Sequence, residues 1–199
     1  MAAGVESGDA DNARRFRDAA LPHLDEVYTL ARYLLRSAAD ADDAVQECYL
    51  RAFRHFEGFR GQAAKPSLIK PSLIKPWLMA ILRNVCRAEF ARRSGAAGDV
   101  ANVAEDALPL WQEAESSPET AMLRQRDSAA IAALVAALPE RFREAIVLRD
   151  IDELSYREIA EVVGAPIGTV MSRLGRARSM LREAWRKSQD PPEIEERSL

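Results

Sequence analysis

The stretch from Tyr156 to Leu181, which reads YREIAEVVGAPIGTVMSRLGRARSML, constrains the fold more than any other part of the chain. Ala160, Gly164 and Val170 have the spacing of a helix-turn-helix, in which a small residue lets two helices pack closely and a turn former separates them. Gly164 can adopt the left-handed conformation that ends a helix, and Pro166 suits the opening turn of the next one. The pattern therefore predicts a second helix that starts near Pro166.

The second helix of this motif has one apolar stripe and one polar, basic face. Apolar residues at three- and four-residue steps form the stripe: Val170, Leu174, Ala177 and Leu181. Thr169, Ser172 and Arg176 then point away from the core, while Arg173 lies at the flank, where it can reach either DNA or a neighbouring acid. Such a face suits a DNA major groove and its phosphates, and the alternative is an ordinary helical hairpin with a solvated basic face.

Composition limits the classes of protein to consider. The 199 residues allow one domain or two small ones, and the formal net charge of −3 argues against a uniformly basic nucleic-acid coat. Cys48 and Cys86 lack the spacing of a disulfide framework or a zinc cluster and are predicted to be buried thiols, and the lone His23 and His55 predict no metal site. No apolar run approaches a membrane span. We expect a soluble cytoplasmic protein without membrane insertion, metal or cofactor.

The first dozen residues are mostly small or acidic and are predicted to be disordered. Helical periodicity begins after them, near Ala13. Pro22 either kinks this first helix or marks its true beginning. A second helix is predicted from about Asp40 to Phe56, with a buried face made of Val45, Cys48, Tyr49, Ala52, Phe53 and Phe56. The opposite face carries alternating charges, which either support the helix locally or form a docking face for a protein: Asp43, Glu47, Arg51 and Arg54.

Three near-copies of one unit, KPSLI, KPSLI and KPWLM, occupy Lys65 to Met79. Their prolines forbid a regular helix through the first two units, and we interpret the repeat as a tandem duplication that lengthens a connector, in preference to a dedicated binding loop. A short helix is predicted from Pro76 to about Asn84, with a fourth helix in RAEFARR. This basic segment suits single-stranded nucleic acid, although Trp77 and Phe90 taken singly fit core positions better.

An acidic segment separates the two helical parts. Ser94 to Thr120 contains six acids and no Lys or Arg, which is typical of an inter-domain linker. Its acids could shield the basic segments on either side, and its apolar island, Leu108, Leu110 and Trp111, could dock on a partner. The sequence thus predicts an all-α protein with two small helical domains, at 13–93 and 118–188, and a flexible linker at 94–117.

Three segments in this order resemble the extracytoplasmic-function (ECF) sigma factors of bacterial RNA polymerase, within the sigma-70 superfamily. They are DADDAVQECYLRAFRHFEGFRG at Asp40 to Gly61, WLMAILRNVCRAEFARR at Trp77 to Arg93, and LPERFREAIVLRDIDELSYREIAEVVGAPIGTVMSRLGRAR at Leu138 to Arg178. The resemblance implies a stress-response factor that is not an enzyme. It implies core RNA polymerase, promoter DNA and an anti-sigma factor as partners.

The resemblance also assigns roles to individual residues. The polymerase-docking set is Asp43, Gln46, Glu47, Arg51 and Arg54. The −10 set has Asn84 and Arg87 at an unstacked base, near a turn between the short helices, and Arg83, Arg92 and Arg93 on phosphates. The −35 set is Thr169, Ser172, Arg173 and Arg176. Met171, where the family often has a basic residue, and Gly175, inside the recognition helix, depart from the family pattern.

Two other functions fit the same residues. A conventional helix-turn-helix regulator would bind operator duplex as a dimer, without polymerase, and would sense a signal through its N-terminal domain. A sigma-like decoy would occupy an anti-sigma factor and never read DNA, although its basic recognition helix argues against this.

Overall fold

Helices and short helical turns make up most of the residues that the structure describes, which are 3–61, 73–96 and 129–189. In this computed structural model no β-strand occurs within those ranges, and the predicted all-α class is confirmed. The main helices are α1 (Ala3–Ala20), α2 (Leu24–Leu35), α3 (Ala38–Gly61), α4 (Ile74–Ala96), α5 (129–137), α6 (Glu140–Ile146), α7 (Tyr156–Val163) and α8 (Ile167–Gln189).

The first helix begins about ten residues earlier than the sequence predicted. α1 starts at Ala3, so the prediction that the first dozen residues are disordered was wrong for Ala3 onward. Alanine has the highest intrinsic helix propensity, and an ion pair between Asp11 and Arg15, 3.0 Å apart at i and i+4, supports the helix. A 3₁₀ turn at Leu21–His23, which contains Pro22, separates α1 from α2. Pro22 therefore breaks the first predicted helix.

The N-terminal core is built around aromatic rings and two buried thiols. Phe16 of α1 packs edge-to-face on Phe56 of α3, with ring centroids 5.3 Å apart. Phe53 also contacts Phe16 but is 39% exposed, so its assignment to the buried face was only partly right. Cys48 and Cys86 are both buried, as predicted, and burial raises the pKa of each thiol to about 12.

One continuous helix replaces the two short ones predicted around Asn84. α4 runs unbroken from Ile74 to Ala96, and the prediction of a turn near Asn84 was wrong. The physical reason is that the apolar stripe continues through this point: Leu78, Leu82, Val85 and Cys86 are all buried at helical spacing, whereas Asn84 faces solvent. A polar residue on the exposed side of an amphipathic helix does not interrupt it.

Several predictions fall on residues outside the described ranges. These are the first KPSLI unit with the first three residues of the second, and most of the acidic linker with its apolar island, whereas Leu73 and Ile74 of the second unit are described and α4 already begins at Ile74. The third unit, KPWLM, lies in α4, where Pro76 occupies the first turn and Trp77 stacks on Phe59 with centroids 4.4 Å apart.

The helix-turn-helix has the geometry that its sequence predicted. Ser155 caps α7 in a capping box: its side chain accepts a hydrogen bond from the Glu158 amide, and the Glu158 carboxylate accepts one from the Ser155 amide. Gly164 ends α7 at φ 62° and ψ 42°, and α8 begins directly after Pro166. The predicted stripe of α8 is buried at Val170, Leu174 and Ala177 and half-buried at Leu181.

Gly164 and Gly175, two of the three glycines in this motif, differ in how an added methyl group changes the stability of the protein. An added Cβ at Gly175 meets no atom within 4 Å, and helical glycine costs about 1 kcal/mol relative to alanine, so we expect Gly175→Ala to raise the free energy of unfolding by about 1 kcal/mol. Gly164→Ala is the matched control. It should lower that free energy by about 1 kcal/mol because φ there is positive. Urea denaturation followed by circular dichroism measures the free energy of unfolding of both variants. A loss of stability in Gly175→Ala would contradict the placement of Gly175 at an open position inside a helix.

Glu153 precedes the helix-turn-helix with a left-handed backbone, at φ 58°. Relieving this conformation gains about 1–2 kcal/mol, and the extra freedom of glycine in the unfolded chain offsets about 0.5–1 kcal/mol. We therefore expect Glu153→Gly to stabilise the protein by about 0.5–1 kcal/mol in the same denaturation assay. Glu161→Gly, an exposed position inside α7, is the control and should destabilise by about 1 kcal/mol. Equal losses in both variants would show that the backbone at Glu153 is not strained.

Candidate nucleic-acid interface

The first turns of α8 present polar and basic side chains. Ser172 and Arg176 are exposed, as the sequence predicted, whereas Thr169 is half-buried. The Ser172 hydroxyl donates to the Thr169 carbonyl at 2.9 Å, which orients it along the helix. Met171 is also exposed, so an unbranched apolar side chain lies on this face where a further cation was expected by resemblance.

Contacts from the preceding segment hold α8 in place. Arg178 donates to both carboxylate oxygens of Asp150, the shorter bond being 2.7 Å, and this hydrogen bond raises the pKa of Arg178. Arg149 donates to the Leu154 carbonyl at 2.8 Å and lies over the ring of Tyr156, 5.1 Å from its centroid. The ion pair is partly exposed and stabilises little, but the set ties the segment before α7 to α8.

The exposed side of α4 carries the second predicted set. Arg87 lies four residues after Arg83 and three after Asn84, so it is a helix-surface neighbour of both, and Asn84 and Arg87 are exposed. Arg92 is exposed and donates to the Glu89 carboxylate at 2.6 Å, so it lies at the end of the helix as part of an ion pair. Arg93 belongs to the same helix, and its side chain lies outside the described part of the chain.

The exposed face of α3 carries the predicted protein-docking set. Asp43, Gln46 and Arg54 are exposed, and Glu47 pairs with Arg51 at 2.5 Å. Sequence reasoning missed Leu50, which is 52% exposed in the middle of these polar residues. Its signal was present, because Leu50 lies four residues after Gln46 and four before Arg54 and so shares their face.

Residues of the −10 and −35 sets meet at one cleft between the two helical groups. The cleft has a volume of about 490 Å³ and is lined by Arg83, Arg87, Pro139, Glu140, Arg141, Glu144 and Arg173. The Nε of Arg83 lies 2.5 Å from a carboxylate oxygen of Glu144, and these side chains are 13% and 7% exposed. The structure thus brings Arg83, Arg87 and Arg173 together, whereas Thr169, Ser172 and Arg176 do not line this cleft.

The described part of the chain contains neither a metal site nor a membrane-spanning helix. Across 3–61, 73–96 and 129–189, no group of three or more His, Cys, Asp or Glu side chains is arranged to hold a metal ion. Within the same part of the chain, no helix combines the length and the apolarity that crossing a bilayer requires.

Comparisons with known proteins agree in both domains. The family model for sigma-70 region 2 matches residues 20–95, and that for sigma-70 region 4 matches residues 128–181. The RNA polymerase sigma-H factor of Pseudomonas aeruginosa is 32% identical over 184 residues, which cover 90% of this chain and 91% of that protein. The ECF RNA polymerase sigma-E factor of Haemophilus influenzae is 33% identical, with 76% and 77% coverage.

Solved structures have the same fold. The sigma factor RpoE of Bartonella quintana, determined in complex with the anti-sigma factor NepR, matches with a TM-score of 0.66 and 25% identity, over 87% of this chain and 98% of that chain. CnrH, determined in complex with the cytosolic domain of CnrY, matches with a TM-score of 0.60 over 93% and 96% of the two chains, and at 23% identity this shows the fold alone. The chain therefore belongs to the extracytoplasmic-function group of the sigma-70 family, whose members direct promoter-specific transcription by RNA polymerase.

Proposed function

We propose that this sigma factor docks on core RNA polymerase through the exposed face of α3, reads the −10 element with α4 and reads the −35 element with α8. In domain terms, residues 13–93 would bind polymerase and the −10 element, residues 118–188 would bind the −35 element, and residues 94–117 would link them. The observation that carries the proposal is that one chain presents two separate helices with exposed polar and basic faces. A conventional regulator needs only the helix-turn-helix.

The chemistry of α8 suits duplex DNA. Arg176 can donate two hydrogen bonds to the major-groove edge of a guanine, and Ser172 and Thr169 can bond base edges or phosphates. Arg173 lines the same cleft as Glu140 and Glu144, and we infer that it becomes available to a phosphate when this cleft opens.

The chemistry of α4 suits an opened strand. Unstacking a base costs a few kcal/mol, and protein contacts to the flipped base must offset that cost. Asn84 can bond the edge of such a base, while Arg87 can stack on it or bond its phosphate. Because α4 is continuous here, the two side chains act from a helix face and not from a turn.

The spacing of promoter elements requires the two helical groups to separate. The −10 and −35 elements lie about 25 base pairs apart, which is roughly 85 Å along a duplex at about 3.4 Å per step. In the structure α4 and α8 line one cleft, so both elements cannot be engaged in this arrangement. Bound to polymerase, the second DNA contact becomes effectively intramolecular, which favours simultaneous reading.

Two further properties belong to the proposal. RNA synthesis is carried out by the polymerase, so this chain acts in the cytoplasm as an initiation factor and not as an enzyme. Because the solved relatives RpoE and CnrH were determined with NepR and with the cytosolic domain of CnrY, we infer that an anti-sigma factor controls this chain as well, within a stress response.

Transcription on a pool of promoter fragments tests the two DNA readers. With core polymerase supplied, we expect Arg176→Ala and Asn84→Ala each to reduce specific initiation at least about fivefold, since each removes a base contact worth about 1–3 kcal/mol. Arg182→Ala, an exposed arginine further along α8, is the matched control and should retain activity within about twofold.

The same assay separates the alternatives. If the chain binds duplex operator tightly without polymerase and fails to support initiation, it is a conventional regulator. If both variants initiate like the wild type, the assigned residues do not read DNA.

Polymerase docking depends on the apolar centre of the α3 face. Leu50→Glu places a charge where an apolar side chain is expected to be buried at the interface, so we expect at least a tenfold loss of affinity for core polymerase, or about 1.4 kcal/mol. Ile131→Glu changes an equally exposed apolar residue on α5 and should leave affinity unchanged. Fluorescence anisotropy of labelled protein measures both, and equal affinities for the two variants would place docking elsewhere.

A further inference from the structure

The N-terminal and C-terminal helices contact each other through several charged groups, of which Arg143, Glu144 and Asp152 are buried. α2 packs on α6 and α4 packs on α7. At one side, Arg83 pairs with Glu144. At another, Arg36, which follows α2, donates to the Ala136 carbonyl near the C-terminal end of α5, where a cation is favoured by the helix dipole. Arg143 donates to the same carbonyl at 2.8 Å.

Asp152 lies in this interface without a partner. The residue is 1% exposed, and neither carboxylate oxygen has a hydrogen-bond partner. The charged and titratable groups that act on it come from the N-terminal helices: Lys75 of α4, and Glu26 and Tyr33 of α2. Contact between the domains therefore determines the surroundings of this carboxyl group.

The nearby cation is already bound elsewhere. Lys75 donates to one oxygen of Glu26 at 2.6 Å, and Nδ1 of His23 lies 2.8 Å from the other oxygen. An ionised carboxylate that loses water and gains no partner is strongly disfavoured, and the group takes up a proton instead. Burial accordingly raises the pKa of Asp152 to about 7, although Lys75 acts in the opposite direction.

We propose that Asp152 is a proton-controlled lock between the two domains: they close when its carboxyl group is protonated, and its negative charge favours their separation. The lock goes beyond promoter reading, because it concerns the shape of the free chain. Its consequence for binding is that closure keeps Arg83 on Glu144 and Arg173 in the cleft, where neither is available to DNA.

The direction of the pH effect follows from proton binding. In the closed form the pKa of Asp152 is about 7, and a water-exposed carboxyl in the open form has its ordinary value of 3.8. Between these values the closed form holds the extra proton, so the ratio of closed to open molecules falls about tenfold for each unit of rising pH, and it levels off above the higher pKa. From pH 8 down to pH 6 we therefore expect this ratio to rise about tenfold.

Single-molecule energy transfer on the full chain tests the lock. Dyes on cysteines introduced at the exposed Glu57 of α3 and Ser179 of α8 report closure, and the native thiols are buried with pKa values of about 12, so they react slowly. Wild type should show the tenfold change between pH 8 and pH 6. Asp152→Asn, which is isosteric and uncharged, should stay closed at both pH values. Asp150→Asn, the exposed neighbour, is the matched control and should titrate like the wild type.

Two further measurements separate Asp152 from the remaining charged groups of the interface. Glu144→Gln should lower the closed fraction at both pH values and keep the pH dependence, because it breaks a different contact. Carboxyl carbon NMR, with the Asp152 resonance assigned through Asp152→Asn, should show titration near pH 7. Three results would each overturn the proposal: titration of Asp152 near pH 4, a wild-type closed fraction that does not change with pH, or a pH dependence that persists in Asp152→Asn.

Discussion

The ion pair between Arg83 and Glu144 is the interaction on which the arrangement of this molecule depends. Both side chains are largely buried, and removing one partner would leave an uncompensated charge in the interface. A buried pair of this kind contributes little net stability, since desolvation cancels much of the attraction. The ion pair instead fixes the orientation in which α4 and α6 meet. In this orientation Arg87 and Arg173 line the same cleft.

The closed form of the free chain and the promoter-bound form exclude each other. Arg83 can pair with Glu144 or bind a DNA phosphate, but it cannot do both. The promoter elements also lie too far apart for α4 and α8 to reach them from one cleft. A ligand that binds the separated domains more tightly than the closed ones therefore shifts the equilibrium between the two forms toward separation, by an amount set by that difference in affinity. Asp152 acts on the same equilibrium from within, because its charge is tolerated only where water can reach it.

Sequence reasoning succeeded where structure is local and failed where it depends on distant residues. The helix-turn-helix was predictable because Gly164 and Pro166 mark the turn between its helices within three positions. The break expected near Asn84 came from dividing this segment into a short helix and a separate basic one in RAEFARR, although Val85 and Cys86 continue the apolar spacing through this point. Two features arise only when the domains meet: Arg83 pairs with Glu144, 61 residues away, and Asp152 becomes buried. The spacing of apolar residues along the sequence cannot predict either one.

The distance between α3 and α8 should be measured by energy transfer in the free chain and again in a transcribing complex with core polymerase and promoter DNA. We expect a short distance in the free chain and a much longer one in the complex, because reading both elements requires the domains to separate. A distance that stays short while the complex initiates from the promoter would contradict this expectation.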